Sequence, residues 1–158
     1  MICIKPTSKR AAAAVLATCL LNVPGPAAWA QSAAQAPLRT VELSAGMHLI
    51  HAELAASSDQ QATGMMFRTA MGANEGMLFV NPDSSVRCFW MRNTLLPLSI
   101  AFIATDGSIV NLADMAPRSE DSHCSSKPVQ FALEMRQGWF DKHGIKAGMK
   151  LRGAPFEK

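Results

Sequence analysis

The residues with the most chemical potential in this chain stand together in Cys88-Phe89-Trp90-Met91-Arg92-Asn93-Thr94. Read as extended backbone, Cys88, Trp90, Arg92 and Thr94 share one face and Phe89, Met91 and Asn93 the other, because successive strand side chains alternate. Phe89 and Met91 suit a core. The opposite face offers an indole that stacks on rings, a guanidinium that pairs with anions, and a hydroxyl. Together these would grip a small anionic or ring-containing ligand. The same residues also fit a strut, with Trp90 packed on a disulfide and Arg92 satisfying loop carbonyls or a carboxylate.

Other candidate chemistry is weaker. Nine of the ten methionines lie beyond Met1; thioethers bind Cu(I), yet most of these stand within apolar patterns, where Met is a gap-filler. Ser122-His123-Cys124 brings nucleophile and base types together, but adjacent residues do not thereby reach triad geometry, and a disulfide-bonded Cys has no thiolate. Asp121, His123 and Cys124 lack zinc-ligand spacing. His48 and His51, three apart on a strand, point to opposite faces and cannot share a metal. The chain has no GxSxG, HExxH, CxxC or phosphate-cradling glycine loop. No metal or cofactor is expected, and binding is favoured over catalysis.

The elements that must position these residues are mostly strands. Alternating runs at 38–43 and 47–55, separated by Ser44-Ala45-Gly46, predict two strands and a tight turn. Ser58 with Gln61 fits a capping box, and Ala62, Met65 and Met66 follow at helical spacing, which predicts one short helix over about 59–66. The run 76–80 predicts a strand ended by an Asn81-Pro82-Asp83-Ser84 turn, and 86–94 predicts another. Runs 98–105 and 108–115 meet across Asp106-Gly107, a type I′ hairpin signal. Residues 117–128 read as a polar surface loop. In 129–136, Val129, Phe131, Leu133 and Met135 face inward while Gln130, Ala132, Glu134 and Arg136 face the other way. A last helical turn near 137–145 precedes a short strand over 149–152. The fold class is mainly β, a compact sandwich or barrel with one short helix.

Residues 1–30 read as a cleaved secretory signal: Lys5, Lys9 and Arg10, an apolar run over 11–23, and Ala28-Trp29-Ala30 before Gln31. That apolar run is shorter than the ~20 residues a spanning helix needs. A flexible leader over 31–37 and a single domain over 38–155 follow, in the periplasm or secreted, with no membrane span after cleavage. Of the 15 Lys and Arg residues the first thirty hold three, and of the 12 Asp and Glu residues none, so the exported chain balances at 12 against 12. No basic run remains, which argues against nucleic acid as a partner. Cys3 and Cys19 leave with the signal. Cys88 and Cys124 then most simply form one disulfide, closing a loop worth roughly 3–4 kcal/mol on the chain-entropy model.

The succession Gly64-Met65-Met66-Phe67-Arg68, Gly76-Met77-Leu78-Phe79, Trp90-Met91-Arg92-Asn93-Thr94, Pro97-Leu98, Ile100, Asp106-Gly107-Ser108-Ile109 and Leu133-Glu134 resembles the uncharacterised DUF192 family over about 40–152. The resemblance implies a jelly-roll-like, mainly β domain and no established activity. Where the family usually has Pro-Leu-Asp-Ile, this chain has Pro97-Leu98-Ser99-Ile100, which puts in doubt any mechanism needing a carboxylate there. Arg68 and Glu134 are the other ionisable members of the shared blocks. With Arg92 they either converge on one pocket or form ion pairs holding helix to sheet.

The leading reading is a small-ligand or partner-binding module using Arg68, Trp90, Arg92, Asn93, Thr94 and Glu134. An envelope hydrolase or isomerase using Arg92 and Glu134, and a structural accessory of an envelope assembly, are the alternatives. The disulfide is directly testable: intact mass after alkylation of the exported protein should show two blocked thiols only after reduction. Two alkylated cysteines in the unreduced protein would remove the bridge.

Overall fold

The computed structural model describes residues 33–156. The signal segment and cleavage point read at 1–30 lie outside the described residues, as does the start of the leader. The fold is mainly β, as the strand periodicity requires. Seven strands form one curled sheet: β1 (Thr40–Ala45), β2 (His48–Ala55), β3 (Glu75–Ser85), β5 (Leu98–Ile103), β6 (Ile109–Met115), β8 (Val129–Arg136) and β9 (Leu151–Arg152), in the order β6-β5-β8-β3-β2-β1-β9. A separate two-stranded ribbon pairs β4 (Cys88–Phe89) with β7 (His123–Cys124). The helices are α1 (Ser58–Thr63) and the single turn α2 (Trp139–Lys142).

All pairings in the large sheet are antiparallel except β2 with β3. Parallel neighbours need a crossover connection, and this one carries α1. The sheet curls until its edges meet: Ser108 bridges Lys150, and Leu151 N–H donates to Gly107 O at 2.9 Å. Every strand of the curled sheet supplies a core within it, including Leu43, Ile50, Leu78, Ile103, Leu133 and Leu151, and α2 plugs that core with Trp139 and Phe140. His48 packs on this side, 4.4 Å from the His143 ring, while His51 faces out beside Glu42, so the two histidines do sit on opposite faces.

A second core covers the outer face of the same sheet. Phe79, Ile100, Phe102 and Ala132 meet Met65, Met71, Met77, Met91 and Met115 there. Five methionines in one layer suit an irregular junction of sheet, helix end and loops, because an unbranched thioether adapts its shape. β8 is therefore buried on both sides, and its non-inward residues Ala132 and Glu134 are as covered as Phe131 and Leu133. The alternation along 129–136 sorts two cores and not core from solvent.

Several local readings shift for physical reasons. The capping box forms one residue earlier than Ser58 and Gln61: Ser57 caps, and Gln60 returns to the Ser57 N–H. The helix stops at Gly64, whose φ of +49° lets the chain turn away. β3 runs through the expected 81–84 turn as a bulged strand, re-registering on β8 between Val80 and Ser85. The 86–94 strand is only two residues long, because Met91 N–H leaves the ribbon to bond Ser119 O. At the 103–109 hairpin only Gly107 has positive φ. Asp106 accepts the Ser108 N–H instead, giving a turn with a bulge in place of type I′. Lys150 and Ser108 hydrogen bonds hold the Asp106 carboxyl down at about 2. Cys88 and Cys124 are joined, as two paired residues of the β4–β7 ribbon.

At Gly76, paired with Met135, β3 has no room for a side chain beside Glu134. A Cβ there would stand 2.6 Å from Glu134 O and closer still to Met135 Sδ. Gly76→Ala should destabilise by about 1–3 kcal/mol, as overpacking does, read as a lowered urea midpoint with the slope unchanged. A midpoint equal to that of the parent would show that the two strands separate freely.

Candidate functional site

β8 carries Glu134 between Met77 of β3 and Ile100 of β5 in the pairing register. Its side chain points to the outer, methionine-rich face and is 4% exposed. Above it lies a cavity of about 300 Å³. Phe79 and Met65 form apolar walls, and the rim is made by Phe89, Trp90 and the bridged Cys88. Phe89 stacks edge-on against Phe79 at 4.9 Å and against Phe102 at 5.9 Å. Trp90 remains 49% exposed.

Among the described residues no hydrogen bond or ion pair reaches the Glu134 carboxyl. Burial alone pushes it up to about 8. At neutral pH it is thus mainly a carboxylic acid, able to donate as well as accept. An unpartnered acid at the floor of an open cavity is the strongest mark of a site in this structure.

Three of the sequence candidates meet here and three do not. Trp90, Thr94 and Glu134 line the cavity. Arg92 and Asn93 line a different one, with Phe67, Leu95, Arg118 and Glu120. Arg92 lies over the Trp90 ring at 5.5 Å and 3.8 Å from Glu120, an exposed pair worth little. Asn93 takes a positive φ of 57°, and its carbonyl receives Phe67 N–H at 2.9 Å, so the turn clamps onto the chain just beyond α1. Arg68 makes a two-point contact with Glu53, whose other tie is Leu38 N–H at 2.7 Å. Burial works to raise the Glu53 carboxyl, but the hydrogen bonds from Arg68 and Leu38 outweigh it and hold it below the ordinary range. The Glu53 hydrogen bond raises Arg68. Arg68, Arg92 and Glu134 therefore do not converge: Arg68 is held by Glu53, and Arg92 lines the other cavity.

Gln61, Asn81 and Arg87 join the cavity wall. The sequence marks none of them: Gln61 reads as a cap and Asn81 as a turn residue, and Arg87 beside Cys88 carries no motif. Ser99, the departure from the family pattern, faces the inner core, donates to Asp114 on β6 and accepts from Gly138 N–H. It lies across the sheet from the cavity. Within the Ser122-His123-Cys124 run, Cys124 is bridged to Cys88 with Ser122 Oγ 3.7 Å from its Sγ, and His123 pairs with Phe89 in the ribbon. Among the described residues no three His, Cys, Asp or Glu side chains group as metal ligands.

The family model for DUF192, described as an uncharacterized ACR, matches residues 40–153. A crystal structure of a "putative transcription regulator" from Sinorhizobium meliloti 1021 is 33% identical, with a TM-score of 0.71 over 76% of this chain and 98% of that one. A protein of unknown function from Novosphingobium aromaticivorans DSM 12444 is 37% identical, with a TM-score of 0.70 over 73% of this chain and 86% of that one. No protein of curated function matches significantly.

The Glu134 environment sets a pH dependence. With the folded carboxyl near 8 and the unfolded one near 4.5, the folded state holds a proton the unfolded state has lost between those values. Stability is full below the unfolded value and falls as pH rises toward the folded one, by up to about 1.4 kcal/mol per unit. Glu134→Gln, which keeps shape and stays neutral, should melt close to the parent near pH 5 and well above it near pH 8.5. Melting curves that run parallel for parent and variant across this range would show that the carboxyl is not buried as described.

Proposed function

The chain belongs to the DUF192 family, a family of uncharacterised function, and from that footing we propose that its domain binds a small organic molecule in the cavity over Glu134. One observation carries the proposal: the carboxyl group of Glu134, a residue 4% exposed, has no partner among the described residues and forms the floor of an open cavity of about 300 Å³ walled by aromatic rings. A buried polar group left unpaired within a chain is stable only at a cost, and a ligand that pairs with it recovers that cost on binding. The volume suits a molecule of metabolite size.

Trp90, Thr94 and Glu134 are the binding residues on this reading. Arg92 and Asn93 shape the turn that carries Trp90, and Arg68 fastens β2 to the segment after α1. A hydrolase or isomerase acting through Arg92 and Glu134 together would need both at one reacting atom, and they line separate cavities. The Cys88–Cys124 bridge at the rim suits an oxidising compartment, and the proposed site of action is the periplasm or the cell exterior. Among the described residues no helix is long and apolar enough to cross a membrane.

The test is a thermal-shift screen of the exported form against metabolites and cell-wall fragments, with Trp90→Ala and Arg92→Ala as companions. A ligand at 100 times its Kd should stabilise the parent by about 2.7 kcal/mol. The shift should shrink in Trp90→Ala and persist in Arg92→Ala. If Arg92→Ala abolishes it while Trp90→Ala keeps it, the ligand sits in the other cavity. If no compound stabilises the parent more than folded Trp90→Ala, the cavity is not a binding site.

A further inference from the structure

The polar groups around this cavity are unevenly committed. Gln61 spends its amide N–H groups on Ala55 O at 3.2 Å and Val80 O at 2.7 Å. Asn81 spends its own on Gln130 O at 2.9 Å. The Thr63 hydroxyl donates to Asp59 O at 2.9 Å, and that of Thr94 turns toward Arg92 O at 3.5 Å. These four side chains use their donors within the chain, and Arg87 Nε is a buried donor left without a partner, whereas no described hydrogen bond engages the side-chain carbonyl oxygens of Gln61 and Asn81 or the Glu134 carboxyl. A group that meets these oxygens must bring a donor of its own.

The apolar part of the wall points the same way. Phe79, Phe89 and Trp90 present ring faces and edges, and Met65 and Met66 present thioethers. Aromatic faces attract cations and their adjoining methylenes, and more so where water is excluded. Among the lining residues Arg87, between β3 and β4, is the only other charged group, and its Nη2 is held by Asp83 Oδ1 at 2.7 Å. Arg87 thus meets one carboxylate while its Nε stays buried and unpartnered, and among the described residues no cation meets the charge that Glu134 can develop.

We propose that the ligand of this cavity is a small organic amine, its protonated nitrogen pairing with the Glu134 carboxylate and its apolar or ring-bearing body lying against Phe79, Phe89 and Trp90. This rests on the cavity being a binding site and adds the chemical class. It replaces the anionic ligand that Arg92 suggests in the sequence, since Arg92 stands outside the cavity. A hydroxyl-bearing ligand gains less: it offers the carboxyl a hydrogen bond that water also offers, and it cannot offset a buried negative charge. Below the carboxyl's titration point the Glu134 proton goes to solvent on binding, while the amine keeps its own.

Three probes of nearly equal size and different charge test this: phenethylamine, 2-phenylethanol and phenylacetate, titrated against the exported protein by ligand-observed NMR. An alkylamine stays protonated up to about pH 10, as lysine does. Phenethylamine should bind at least about tenfold more tightly than 2-phenylethanol near pH 8.5, and phenylacetate weakest of the three. Its affinity should fall up to about tenfold per unit as pH drops below the Glu134 value of about 8, while that of 2-phenylethanol stays level. Glu134→Gln should abolish both the preference and the pH dependence, and the parent's own pH profile decides the matter if that variant does not fold. Three probes that bind alike, or phenylacetate binding best, would overturn the amine while leaving the cavity reading intact where Trp90→Ala weakens them all. Failure of all three at millimolar concentration would also overturn the amine, and the library screen then judges the cavity on its own.

Discussion

A sheet covered on both faces leaves a carboxyl group on one of its interior strands no inexpensive state. Ionised, Glu134 would be a charge in a low-dielectric layer; protonated, it gives up the ordinary behaviour of a glutamate. The pairing of β8 with β3 on one side and β5 on the other fixes that residue so firmly that it cannot turn toward solvent. Everything that covers the outer face acts on this one group. α1 lies there because parallel β2 and β3 require a crossover, and the 90–94 turn lies there because Met91 is drawn into the methionine layer.

The cover is fastened at several points, and these fastenings absorb most of the eye-catching residues. Gln61 ties α1 to the end of β2 and the middle of β3 through two carbonyls. Phe67 and Asn93, both at positive φ, join by a backbone hydrogen bond at 2.9 Å. Such non-glycine backbone is held only where its surroundings fix it. The disulfide then locks the ribbon that presents Phe89 and Trp90. The Arg68–Glu53 pair gathers β2, the segment after α1 and Leu38. Gln35, within the leader read from the sequence, donates to Gln60 O and Gly64 O at the end of α1, so order reaches back to it.

Much of this frame was legible from the residues. The strand runs, the joined cysteines, the inward Phe89 and Met91 and the outward Trp90 follow from alternation and from cysteine arithmetic. The boundaries failed where two local signals compete. Ser57 and Ser58 each stand three before a glutamine, and the tertiary demand on Gln61 decided between them. Asn81-Pro82-Asp83-Ser84 has turn composition, but β8 offers pairing beyond it and the turn residues become a bulge. The face of Glu134 was beyond reach for another reason. Alternation shows which residues share a side, never whether the second side meets water or a second core.

The charge pairings explain why residue type alone misdirects the search for a site. Arg68 has Glu53, Arg87 has Asp83, and Arg92 has Glu120 at longer range. A guanidinium whose charge is met inside its own chain has little left with which to select an outside anion, and it works as a strut. Glu134 is the reverse case, an unremarkable letter in an alternating strand whose partner the described chain does not supply. Among the described residues lining the cavity, Glu134 is the charged group that no ion pair meets, and the proposed choice of ligand rests on it and not on the arginines that dominate the sequence motif. A charged side chain becomes a binding group when the fold withholds its counterion while still leaving a way in.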